Sequence, residues 1–128
     1  MSTLTVSNVS DGTLSIPTTY VTNGSAKAWV NFDGTGTPAV TNSFNVSSIT
    51  DLATGRFTIN VTSAFADATY AITTQATKDA GNTSQRTYGY CNGDTITAAA
   101  IDIRMQAVTD NSFQDETYTY VVFHGDLA

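Results

Sequence analysis

One histidine, one cysteine and five basic residues are all this 128-residue chain offers the chemistry of most enzymes and nucleic-acid binders. General acid–base catalysis needs a positioned base. The single candidate, His124, closes the apolar run Val121-Val122-Phe123, where it reads as a satisfied structural histidine. No Gly-x-Ser-x-Gly elbow and no phosphate-cradling glycine loop occurs, and Asp33-Gly34-Thr35-Gly36-Thr37 reads as a tight glycine turn. The expectation is a protein without enzymatic activity and without a cofactor. One His and one Cys cannot supply a transition-metal site, and Cys91 alone rules out an intrachain disulfide. Lys27, Arg56, Lys78, Arg86 and Arg104 are scattered against a net charge of −6. A clustered basic face that could displace counterions from nucleic acid is therefore not expected, nor one that would hold an anionic membrane. No run approaches the ~20 apolar residues of a membrane span. The start Met1-Ser2-Thr3-Leu4-Thr5-Val6 lacks the charged and apolar regions of a signal peptide. Synthesis as a soluble product in a reducing cytosol is the expectation.

Threonine fills the gap left by charge. There are 24 of them, while charged residues make up only 12% against roughly 25% in ordinary domains. Threonine is β-branched and suits a half-exposed pleated surface, so the chain is a poor source of helix and a good source of strand. Hydrophobic residues reach 41%, enough for one core in a chain of one-domain length.

Turn signals recur at short intervals: Asp11-Gly12, Asn23-Gly24, Asp33-Gly34, Thr54-Gly55, Gly81-Asn82, Asn92-Gly93 and Gly125. Between them the sequence predicts strands over Leu4–Val6, Lys27–Phe32, Ser43–Ile49, Arg56–Val61, Tyr70–Gln75, Thr87–Cys91, Thr95–Ala98, Ile101–Val108 and Thr117–His124. Phe57, Ile59 and Val61 alternate with Thr58 and Asn60, and Ile101, Ile103 and Met105 alternate with Asp102 and Arg104. Period two with one apolar face marks antiparallel strands over a core. Asp102 and Arg104 are thus expected on the polar side. Thr62 to Asp67 allows at most one helical turn. Trp29, Phe32, Phe57 and Ile59 are the expected fold anchors, since large aromatics bury the most area.

Residues 7 to 26 are rich in Ser, Thr, Asn and Gly, with Pro17 among them, yet the N-terminal segment carries Leu4, Val6, Leu14, Ile16, Tyr20 and Val21. This suits an arm lying on the same domain, a sister subunit or a platform. The reading is an all-β chain: an extended N-terminal arm over 1–26, then an antiparallel, jelly-roll-like β-sandwich over 27–128.

Two loci are candidates for binding. Tyr88 and Tyr90, with Asn92 and Asp94 after them, could stack on a sugar ring and bond its rim. The simpler and preferred reading turns both tyrosines into the core and makes Asn92-Gly93 a hairpin turn. Asp110-Asn111-Ser112 and Asp115-Glu116 form a small acidic loop without the spacing of a calcium site, so it reads as solvated. Asn111 and Asp115 join the candidate surface contacts. The loops over 78–86 and 109–116 are expected to point outward and carry specificity.

Ala26-Lys27-Ala28-Trp29-Val30-Asn31-Phe32-Asp33-Gly34-Thr35-Gly36-Thr37 is distinctive, as is Ser43-Phe44-Asn45-Val46-Ser47-Ser48-Ile49-Thr50-Asp51. Thr54 to Val61 and Asp67 to Ile72 follow in the same order. The set resembles a tail-fibre-type module of tailed phages, notably marine ones, over about residues 26 to 72, with looser likeness beyond. The resemblance implies a structural protein of the virion surface, made in the host bacterial cytoplasm, released by lysis and supplying no catalytic residues. Two expectations for its role follow, the first from the resemblance. One is a fibre or spike tip for host-surface attachment, assembled as a homotrimer, with a host surface glycan as its candidate ligand. The other, which rests on the small size of the chain and on an arm of about 26 residues suited to clamping neighbouring capsomers, is a trimeric decoration protein cementing the head, held to the major capsid protein.

Overall fold

The computed structural model describes residues 2–77, 87–91 and 95–128. Near the N-terminus β1 (Asn8–Ser10) and β2 (Ser15–Pro17) pair as a small antiparallel hairpin. Asp11 braces its turn, accepting from the N–H groups of Thr13 at 2.9 Å and Leu14 at 2.8 Å. Helix α1 (Thr18–Gly24) follows directly. Pro17 precedes it, at the end of a helix where a missing N–H leaves no bond unmade. No residue of β1, β2 or α1 is buried. The segment expected to be extended is thus folded back on itself, because the Asp11-Gly12 turn reverses the chain and Gly12 sits at φ +94°.

The remaining strands form two four-stranded antiparallel sheets. They are β3 (Ala28–Asp33), β4 (Ala39–Phe44), β5 (Val46–Ala53), β6 (Arg56–Val61), β7 (Ala71–Thr77), β8 (Thr87–Cys91), β9 (Ala100–Ala107) and β10 (Tyr118–His124). The first sheet runs β4-β3-β10-β7 and the second β5-β6-β9-β8. Every pairing is antiparallel. The pairs β3–β4, β5–β6 and β8–β9 keep sequence neighbours side by side in one sheet. A jelly roll sends most such neighbours to opposite sheets, so that part of the expectation does not describe this strand order.

Alternation decides what faces inward. β3 buries Ala28, Val30 and Phe32, and β9 buries Ile101, Ile103, Met105 and Ala107. Inward residues of both sheets, with Phe65, meet in one apolar cluster. Phe32 and Phe57 touch edge to face at 5.2 Å across the middle. Each such side chain contributes about 1.5–3 kcal/mol on burial. Phe32, Phe57 and Ile59 are fully buried, as expected of anchors. Trp29 is not among them. It occupies the other phase of β3, so it lies on the outer face of the first sheet and is only partly buried. Asp102 and Arg104 lie outward, as their spacing predicts.

The chain passes between sheets at Asn45, which separates β4 from β5 at φ 55°. A left-handed residue ends a strand, and asparagine tolerates that conformation better than most. The single strand expected over Ser43–Ile49 is therefore two. At the opposite edge β7 approaches β8, where a Cβ on Gly89 would lie 2.5 Å from Thr74 Oγ1. Leu4–Val6 and Thr95–Ala98 are not strands, and Thr62 to Asp67 makes no helical turn. Phe65 instead bridges Leu127 and donates its N–H to the Ala98 carbonyl at 2.8 Å.

Candidate functional site: the outer face of the second sheet

In β8, Gly89 stands opposite Met105 and Cys91 opposite Ile103. Met105 and Ile103 are core residues, so Gly89 and Cys91 face inward and burial pushes the Cys91 thiol above its ordinary pKa. Side chains along a strand alternate faces. Tyr88 and Tyr90 therefore turn outward, which corrects the core-facing reading. Their rings stack at 5.8 Å with 29° between planes, and Tyr88 remains 40% exposed.

Cross-strand pairing extends this aromatic pair into rows. Tyr88 is opposite Gln106, and Tyr90 is opposite Arg104. Arg104 is in turn opposite Arg56 on β6, and Asp102 opposite Thr58. The Tyr88 hydroxyl donates to Gln106 Oε1 at 3.0 Å, and Asn111 Oδ1 lies 3.5 Å from it. Gln106 Nε2 donates to the Asn111 carbonyl at 3.1 Å. Thr58 Oγ1 donates to Asp102 at 2.6 Å. The face thus carries stacked rings beside amides, a carboxylate, hydroxyls and guanidinium groups, all on strands except Asn111, which reaches in from the loop over 109–116. Such a surface can hold a ring's apolar face and bond its polar edge.

The structure gathers Tyr88, Tyr90 and Asn111 and sets Asp115 apart. Asp115 Oδ1 accepts from the Gly55 N–H at 2.6 Å, bracing the β5–β6 turn. Asn92 and Asp94 lie outside the described residues, as does the loop over 78–86. Of the loop over 109–116, only the first part stands out into solvent. Ala107 N–H donates to Ser112 O and Gln114 N–H to Met105 O, which lays the later residues along β9, and Glu116 is buried. Among the described residues no cluster of His, Cys, Asp or Glu could hold a metal ion, and no helix is long and apolar enough to cross a membrane. Arg56 and Gln106 were not singled out from the sequence. The alternation around Phe57 and Met105 puts them outside, but nothing in one chain's order says which strand lies alongside.

The outer face of the first sheet is different. Trp29 pairs with Phe44 and Val122, and Asn31 with Tyr120 and Asn42. Phe44 is 55%, Tyr118 44% and Tyr120 38% exposed, so this face is aromatic and nearly uncharged.

No family model matches the chain, and searches of curated proteins and of solved structures return no significant match.

Proposed function

We propose that this chain is a non-enzymatic structural protein of the outer surface of a tailed-phage virion, a fibre- or spike-tip module for host-surface attachment. The virion setting is what the sequence resemblance implies, and the attachment role is supported by the stacked Tyr88–Tyr90 pair, held outward on the sheet beside Gln106 and Asn111. Sites built on strands keep their geometry better than sites on loops. The two packed sheets act as a β-sandwich scaffold that presents this face to a host glycan. The aromatic outer face of the first sheet, with Phe44, Trp29 and Tyr120, packs against sister subunits in a homotrimer. Three weak sites then gain avidity through effective concentration.

A second reading is favoured by one observation. Leu4, Leu14 and Tyr20 in the N-terminal segment are 84%, 67% and 72% exposed. Apolar side chains left in water suit a clamp on a neighbouring protein, the role of a trimeric decoration protein on the head.

Gold-labelled antibody on intact virions, viewed by electron microscopy, separates the two. Label at the tail end is the expected result. Label over the whole head would replace the attachment reading with the decoration one. Unlabelled virions that lack the protein by mass spectrometry would sink both.

A further inference from the structure

Arg56 and Arg104 are directly opposed across β6 and β9, which puts their Cβ atoms about 4.5–5.5 Å apart. They are two of the five basic residues in a chain of net charge −6. Like charges placed this way destabilise a sheet. Both side chains are partly buried, and Arg56 Nε is buried with no hydrogen-bond partner. Among the described residues neither guanidinium has an ion-pair partner. Asp102, the one acid on β9, lies on the same face and accepts the Thr58 hydroxyl, which leaves two guanidinium groups beside a single carboxylate. Tyr90 flanks Arg104 on the third strand of the row.

We propose that the Arg56–Arg104 pair is an anion subsite that reads the carboxylate of an acidic sugar, a uronic or sialic acid, while the Tyr88–Tyr90 pair holds the ring. The inference rests on the attachment reading above and names its ligand class. A guanidinium presents a planar fork of donors that matches a carboxylate. Two forks side by side have a deficit of negative charge that one carboxylate relieves. The Tyr rings and the Arg row lie on neighbouring positions of one face, so a single saccharide can reach both.

A glycan array tests this with uronate- and sialate-bearing oligosaccharides, each beside its counterpart with the carboxylate reduced to the alcohol, and with sulfated analogues. The expected result is at least tenfold stronger signal on carboxylated glycans than on the reduced ones, the uronate and sialate arms showing which acid is preferred. Arg56→Gln and Arg104→Gln should each abolish that preference. Tyr88→Ala should weaken both classes together. Both glutamine variants should melt no lower than the parent, since repulsion is relieved. Arg104→Lys, which keeps the charge and loses the fork, should retain the fold and lose most of the preference. Equal binding to the acidic and reduced forms would overturn the anion subsite and leave the attachment reading standing. So would a stronger response to sulfate esters, or a glutamine variant that melts far below the parent. No binding to any glycan would remove both.

Discussion

Asn45 holds Ser63 from both sides: its Nδ2 donates to the Ser63 carbonyl at 3.1 Å and its Oδ1 accepts from the Ser63 N–H at 2.7 Å. Nδ2 also reaches the Lys27 carbonyl at 3.0 Å. One left-handed residue thus fixes the corner where the chain changes sheets. Asn45→Ala loses these bonds, each worth about 0.5–1.5 kcal/mol, and meets a left-handed penalty of about 1–2 kcal/mol. A fall in stability of about 2.5–6.5 kcal/mol is expected by urea denaturation. Asn45→Gly should recover the backbone part alone, and a glycine variant as stable as the parent would show that the side-chain bonds contribute nothing.

The opposite edge depends on the absence of a side chain. At Gly89 an added Cβ would meet Thr74 Oγ1 at 2.5 Å and Thr74 Cβ at 2.7 Å. Gly89→Ala should cost about 1–3 kcal/mol, the usual range for overpacking. Chemical denaturation measures it. An unchanged midpoint would mean that β7 and β8 do not approach so closely.

The two aromatic residues of β3 should respond differently to truncation. Phe32→Ala opens the core and should cost about 3–5 kcal/mol. Trp29→Ala removes a partly exposed side chain from the outer face and should cost clearly less in the isolated subunit. Trp29 is also the sole tryptophan. Its emission should shift to the blue as concentration drives subunits together, if the first sheet's outer face is the trimer contact. Emission independent of concentration, while sedimentation shows a trimer, would place the contact elsewhere.

A repeated local device sets the response to acid. Asp33, Asp67 and Asp110 each accept a side-chain hydroxyl and a backbone N–H from the Thr or Ser two residues on. These bonds, the hydroxyl first, hold all three carboxyls below their ordinary pKa of 3.8. Backbone N–H groups of Leu14 and Thr13 lower Asp11 in the same way. A carboxyl depressed by folding stabilises the fold above its unfolded pKa, and that contribution is lost as pH falls through the folded value. Stability contributed by these turns should be level above about pH 5 and decline from near 3.8 downward. Thermal melts across pH 2 to 7 check this. Asp67→Asn should shrink the acid-side decline, and a variant that declines as steeply as the parent would exclude its turn from the response.

Much of the scaffold was legible because alternation is local. The phase of Phe57-Thr58-Ile59 and of Ile101-Asp102-Ile103 gives both the strand and its buried face, whatever the partners. Trp29 invites a core assignment by size, yet Phe32, three residues on, takes the opposite phase and wins the core. Tyr88 and Tyr90 allow either face when seen in sequence alone, and the core-facing one is the simpler expectation. Gly89 and Cys91 look like poor core residues, but Thr74 packs so close to Gly89 that only a hydrogen fits there. Helix α1 is not legible in the sequence because Thr18 to Gly24 has low helical propensity, and the element follows the turn that Asp11 braces.

By itself the sequence determined the all-β class, the period-two faces, the anchors Phe32, Phe57 and Ile59, and the outward placement of Arg104, since these follow from side-chain chemistry along a single strand. Only the tertiary structure decided that Tyr90, Arg104 and Arg56 share one row and that Asn111 reaches Tyr88. Register between strands is set by hydrogen bonding and packing over separations of tens of residues, and no local pattern in the chain encodes which strand will lie beside which.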